Sequence, residues 1–189
     1  MPRGVRPRAV GVSTAIVFET HATSEDNESG LAAGWLSGRL SARGRAQAAE
    51  LGRRRGVDGI DVVFASDLRR AVETAEIAVG AAGVPIRLDW RLRECDYGEL
   101  NGASRAVVHG DRARYLDAPY PGGESWRTAT ARVDRFVDDV LLRWSGARVL
   151  VIGHVATRWA FEQRSHGVAL EDLVAEDFVW QPGWVYRVE

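Results

Sequence analysis

A chain of 189 residues, with 25 basic and 26 acidic side chains and a formal net charge of -1, is long enough for one domain with a substantial core and too short for two ordinary ones. That balance leaves no overall field to attract nucleic acid or an anionic membrane, so any anion site has to be local. Every basic residue is an arginine, which excludes Schiff-base chemistry and the phosphate-binding lysine of a P-loop. The lone Cys95 rules out an internal disulfide and fits a reducing compartment; a C-x5-R phosphatase loop starting there would need arginine where Asn101 stands. No apolar run approaches the ~18 to 20 residues of a membrane span, and the Arg-containing N-terminus lacks the apolar core of a secretory signal, so a soluble, cytoplasmic protein is expected.

In chain order, Met1 to Thr14 has no period and reads as a mobile lead-in, with a single domain from Ala15 to Glu189. Ala15 to Glu19 reads as a buried strand that breaks into polar residues with His21 at the junction. After a loop with Gly30, Gly34 and Gly38, Ser41 is a plausible N-cap for a helix to Arg55. Asp61 to Ala65 reads as a strand stopping at Ser66 and Asp67, either of which can cap a helix over Leu68 to Val79. A turn at Gly83 to Pro85 leads to a short strand near Ile86 to Leu88 and then to a charged loop, Trp90 to Gly102. A helix is expected within Ala103 to Tyr115, a turn over Ala118 to Ser125, and a helix to about Trp144 with Val133, Phe136, Val137, Val140 and Leu141 on one stripe.

Arg148 to Ile152 reads as a second strand that ends in a histidine, His154, followed by a helix to His166. Phe178 to Val188 suggests two short strands joined at Pro182-Gly183. Strands alternating with helices predict a three-layer α/β/α sandwich with a mainly parallel central sheet, whose carboxyl ends open into the ligand crevice. Two of the four histidines then occupy equivalent strand ends. His21 on its own segment reads first as a satisfied loop histidine, and the second copy of the arrangement changes that balance. Together with an arginine in the first turn of a helix and an acidic loop the two histidines could build a phosphate site. No histidine, cysteine or carboxylate pattern has metal-ligand spacing, and no cofactor is expected.

Six stretches, in order, carry a family likeness. They are Thr20-His21-Ala22-Thr23-Ser24 running to Asn27; Gly34-Trp35 with Leu40-Ser41, Gly44 and Gln47-Ala48; Ser66-Asp67-Leu68-Arg69-Arg70-Ala71 running to Ala75; Leu92-Arg93-Glu94 running to Gly98; Pro121 to Ser125; and Val151-Ile152-Gly153-His154. The chain resembles the histidine phosphatase superfamily, the phosphoglycerate mutase-like proteins, from Ala15 to about Trp159. The resemblance implies that His21 accepts a phosphoryl group as a phosphohistidine and that Glu94 acts as general acid and then base. It implies that Arg70, Asn27, His154, Thr20, Ser24 and Val155 surround the phosphoryl oxygens, and that Trp35 lies near the site. It implies a metal-independent phosphatase acting on a small phosphorylated metabolite, with no nucleic-acid or membrane partner and with a homodimer compatible with the fold. A phosphomutase is a lesser alternative, since the chain lacks lysine and shows no second anion pocket. Ala103 to Pro119 is expected to form part of the pocket lid and to set substrate choice.

Three positions depart from the pattern. Thr20 stands where the family has arginine before the nucleophile, Ala22 where it has the following glycine, and Val155 where a glycine follows the second histidine. The missing arginine removes charge-assisted bonds worth roughly 1.5 to 3 kcal/mol each, and Glu19 would repel a phosphate if it faced the pocket. Two expectations follow: Arg158 or Arg39 replaces the charge, or the chain is a degenerate member that binds an anionic ligand or partner or does altered chemistry.

Overall fold

In the computed structural model, which describes residues 14–56 and 58–188, five strands form one sheet in the order β3-β2-β4-β1-β5. The strands are β1 (Thr14–Thr20), β2 (Val62–Ala65), β3 (Ile86–Leu88), β4 (Arg148–Gly153) and β5 (Trp184–Val188). All neighbouring pairs are parallel except β1 with β5. The helices are α1 (Glu25–Glu28), α2 (Ala42–Arg55), α3 (Arg69–Val79), α4 (Arg105–Gly110), α5 (Trp126–Trp144), α6 (Val155–His166) and α7 (Leu170–Ala175).

The alternation of side chains along each strand divides the core in two. Ile16, Phe18, Val62, Phe64, Val149 and Val151 pack on one face against Val133, Phe136 and Val137 of α5 and Phe161 of α6. Val17, Val63, Ala65, Leu150 and Ile152 pack on the other against Leu51 of α2 and Ala71, Ala75 and Val79 of α3. These strands are apolar on both faces because both faces are covered, as parallel sheets require. A third cluster, with Tyr97, Tyr115, Tyr120, Trp126 and Trp159, packs the segments that follow β3 against α5 and α6.

Several expectations need correction. The lead-in falls almost wholly outside the described residues, and Thr14, counted with it, is the first residue of β1. Only one strand forms near the C-terminus: the free edge of β1 pairs with 184–188, and 178–181 have no strand partner. Helix α3 begins on Leu68 with no side-chain cap, because Ser66 Oγ accepts the Leu68 N–H and Asp67 is held by Arg93. The stretch from Ala103 to Tyr115 is α4 plus a separate 3-10 turn over Arg112–Tyr115. Helices α1 and α7 were not anticipated; α7 is short but places Leu170, Leu173 and Val174 in the core.

Ser41 caps α2 as expected, its Oγ accepting the Gly44 N–H. At Gly44 the first turn of α2 touches the backbone just beyond His21, where an added Cβ would overlap the Thr23 carbonyl oxygen. Gly44→Ala gains helix propensity, yet overpacking costs roughly 1 to 3 kcal/mol. The expected result in urea unfolding is a lower midpoint at unchanged slope; an unchanged or raised midpoint would contradict this packing account.

Candidate active site

The register of the two central strands builds the site. Thr20 is paired with Gly153, and the ladder continues with the His21 N–H donating to the Gly153 carbonyl at 3.0 Å. The next residue on each strand, His21 and His154, therefore leaves the sheet side by side, with ring centroids 4.9 Å apart. His21 is half-buried and His154 is buried, 1% exposed.

Hydrogen bonding fixes the two imidazoles in different roles. His21 Nδ1 lies 2.7 Å from the Ala22 carbonyl oxygen, so Nδ1 carries the proton and Nε2 the lone pair. Arg70 Nε donates to that Nε2 at 3.3 Å. Arg70 Nη2 stands 3.4 Å from His154 Nδ1, and since a guanidinium only donates, the proton of His154 sits on Nε2, which is buried without a partner. Arg70 is itself buried and anchored to the carbonyls of Gly34 (2.8 Å) and Leu36 (3.0 Å). A backbone brace completes the arrangement: the Ala22 N–H donates to Thr74 Oγ1, which in turn donates to the Arg70 carbonyl.

Glu94 approaches from the loop after β3. Its Oε1 accepts the N–H groups of Cys95 (3.0 Å) and Ala156 (3.1 Å), and its Oε2 accepts that of Val155 (3.3 Å), so the carboxyl sits on the N-terminus of α6. Free N–H groups at a helix start favour an anion. Burial pushes the Glu94 carboxyl above its usual value, and these three N–H groups and Arg70 oppose the shift. Burial also lowers His21 to about 3, with the Arg70 charge acting in the same direction, and holds His154 well below its usual value. Both imidazoles are thus neutral bases near neutral pH.

The remaining expected residues fall into two groups. Trp35 is at the site: its Nε1 donates to the Glu94 carbonyl at 2.6 Å, and the Arg93 guanidinium covers its ring at 4.6 Å. Thr20 is half-buried at the strand end. Ser24 and Asn27 form the capping box of α1, the Ser24 N–H bonded to Asn27 Oδ1 and the Asn27 N–H to Ser24 Oγ. The structure does not bring Arg39 or Arg158 to the histidines. Arg39 is exposed and paired with Glu25, while Arg158 lies over Trp184 and Phe178 and faces Glu162. Glu19 does not face the pocket either; it is buried and bonded to Arg54 and Arg55. No non-glycine residue described has a positive φ, so Ala22 and Val155 sit without backbone strain where the motif has glycine.

Sequence reasoning missed the residues that hold these groups: Thr74, Thr157, Arg132 and the carbonyls of Gly34 and Leu36. Arg132 had a readable signal, an arginine one position before Val133 on the apolar stripe of α5. The carbonyl partners had none. Among the described residues no group of three or more His, Cys, Asp or Glu is placed to hold a metal ion, and no helix is long and apolar enough to cross a membrane.

Residues 16–188 match the family model described as the histidine phosphatase superfamily (branch 1). The 2,3-bisphosphoglycerate-dependent phosphoglycerate mutase of Nitrobacter winogradskyi is 31% identical over 190 residues, covering 92% of this chain and 91% of the relative. The solved structure of Bacillus stearothermophilus YhfR superposes with a TM-score of 0.82 at 26% identity, covering 93% and 91% of the two chains. A mycobacterial glucosyl-3-phosphoglycerate phosphatase shares the fold, with a TM-score of 0.73 at 24% identity over 87% of each chain.

Because the folded value of His21 lies below the unfolded value of 6.5, the unfolded chain binds more protons between the two. The His21 contribution to stability is therefore complete above 6.5 and is lost as pH falls from there toward 3. Glu94, raised from 4.5, acts the opposite way: its contribution is present below 4.5 and is lost as pH rises through the raised value. The expected NMR result is that neither site imidazole titrates between about pH 8 and about pH 5. In unfolding titrations His21→Gln should lose less stability than wild type over that range. Titration of His21 near its ordinary value would contradict the electrostatic account.

Proposed function

The chain belongs to the histidine phosphatase superfamily, and from that premise we propose that it is a metal-independent phosphatase hydrolysing a small phosphate monoester through a phosphohistidine on His21. The observation that carries this reading is the Arg70 guanidinium bonded to His21 Nε2 and lying beside His154 Nδ1, with the Glu94 carboxyl on the adjoining helix start.

Neutral His21 attacks phosphorus through Nε2 while the ester P–O bond breaks, and protonated Glu94 delivers its proton to the departing oxygen. As the Nε2 lone pair goes to phosphorus, the Arg70 Nε–H that it accepted is released to a phosphoryl oxygen. His154 offers its unpartnered Nε2–H to another, which places charge stabilisation where charge develops. In the second half Glu94, now a carboxylate, takes a proton from water, the water oxygen bonds to phosphorus, and the N–P bond breaks to return the lone pair to His21. A protonated Glu94 also relieves repulsion. A phosphoryl dianion meets one guanidinium at the histidine pair rather than the two of the family pattern, because Thr20 carries no charge.

That single guanidinium supports a slower enzyme than the family pattern implies, and the name of the mutase relative supports isomerisation of phosphoglycerate as the second reading. A panel of phosphate monoesters in chelator tests both. The expected outcome is hydrolysis that survives chelator, vanishes in His21→Ala, and falls by roughly 10²- to 10⁴-fold in Glu94→Gln for esters with poor leaving groups. Interconversion of phosphoglycerates dependent on 2,3-bisphosphoglycerate, exceeding hydrolysis, would make the chain a mutase. Inertness across the panel would move the assignment to a binding protein.

A further inference from the structure

Arg132 is a buried, fully bonded side chain that the proposed reaction does not use. It lies on α5, 1% exposed, within an apolar stripe. A guanidinium has five N–H donors in a fixed plane, and all have acceptors here. Nε and Nη2 grip the Glu124 carboxylate at 3.0 and 2.8 Å. Nη1 donates to the carbonyls of Arg91 and Arg93, and Nη2 to that of Glu94, each at 2.7 Å. The carbonyl between them, of Leu92, accepts Thr157 Oγ1–H at 3.0 Å, and the same Oγ1 accepts the His154 N–H at 3.3 Å. Four consecutive carbonyls, 91 to 94, are therefore held by side chains of α5 and α6.

Of the four, one buried cation holds three, with Thr157 on the Leu92 carbonyl and the Trp35 Nε1–H also on that of Glu94. Glu124 extends the grip, its Oε2 accepting the Asp96 N–H at 3.1 Å. A bond to the carbonyl of Glu94 itself fixes the peptide plane from which that side chain departs. The carboxyl at the other end has to meet the N–H groups of Val155 and Ala156, which belong to a different element. A shift of about 1 Å in a group of this kind can cost on the order of 100-fold in rate.

We propose that Arg132 is the positioning residue for proton delivery by Glu94, its guanidinium serving as the template on which the acid loop is folded. This inference rests on the reading of Glu94 as the general acid. It differs from a purely structural role in one respect: in the transfer of the phosphoryl group to His21, displacement of the acid should harm only those esters that need a proton on the leaving group, whereas the later water step, which also uses Glu94, is common to all esters.

Arg132→Lys keeps the charge opposite Glu124, but an ammonium has three donors and cannot hold three carbonyls and a carboxylate together. The test compares wild type and Arg132→Lys on glycerol phosphate, whose alkoxide leaves only when protonated, and on 2,4-dinitrophenyl phosphate, whose phenolate leaves unaided. The expected result is a loss of roughly tenfold or more in kcat/KM, which reads the step up to departure of the leaving group, on glycerol phosphate, little change in kcat/KM on the dinitrophenyl ester, and a lowered thermal midpoint because buried carbonyls lose donors. Equal losses on the two esters, or no loss on either, would overturn the inference. Should Arg132→Lys not fold, Glu124→Gln loosens the grip while leaving the guanidinium in place, and the same leaving-group split is expected at smaller amplitude; its absence there would equally overturn the inference. Failure of wild type on both esters would sink the phosphatase reading instead, which separates the two claims.

Discussion

The pairing of β1 with β4 in the register that sets Thr20 opposite Gly153 is the constraint on which the site depends. A slip of one residue would send each side chain of β1 to the other face, driving Val17 and Glu19 into the layer of Phe161 and Phe136. The register is enforced from both sides of the sheet, because Ile16 and Phe18 belong to one core and Val17 to the other. Once it is set, two histidines emerge together, and α3 delivers Arg70 between them from a helix whose own packing, through Ala71 and Ala75, is fixed by the same sheet. The chemistry inherits its precision from hydrophobic packing.

Around that frame the polar groups are arranged by burial more than by charge. Loss of solvent leaves both imidazoles neutral and moves Glu94 toward its protonated form, so a base and an acid coexist beside one cation. The backbone holds the rest: the Ala22 carbonyl selects the tautomer of His21, the carbonyls of Gly34 and Leu36 anchor Arg70, and the start of α6 receives Glu94. Charges that sequence alone left ambiguous are disposed of locally. Glu19 is neutralised by two arginines of α2, and Arg158 lies against two neighbouring aromatic rings, Trp184 and Phe178, at the C-terminal strand.

What the sequence made legible follows from what is periodic or local. The buried strands, the stripe of α5 and the Ser41 cap were readable because each is written in neighbouring residues. The second C-terminal strand did not form: β5 takes the edge of β1 and keeps its own outer edge unpaired among the described residues, while Phe178 lies against Trp184 and Arg158 instead. The six motifs located His21, Arg70, Glu94 and His154, and the fold brings Arg70 to both histidines. They did not locate what orients those side chains, because a carbonyl acceptor such as that of Gly34 leaves no trace in residue type. Arg158 lies four residues beyond His154 in sequence and Arg39 in the glycine-rich loop, whereas the direction a side chain takes is set by its local backbone and its nearest counter-charge, here Glu162 and Glu25. Thr20 remains the one departure with no substitute cation at the histidines among the described residues.

The most direct test of the central claim is the site and atom of phosphorylation. Protein with 15N-labelled imidazoles, trapped during turnover and kept alkaline, should show a 31P–15N coupling to Nε2 of His21, since Nδ1 is committed to the Ala22 carbonyl. A phosphoryl group on His154 or on a carboxylate, or turnover with no phosphoenzyme at all, would contradict the account.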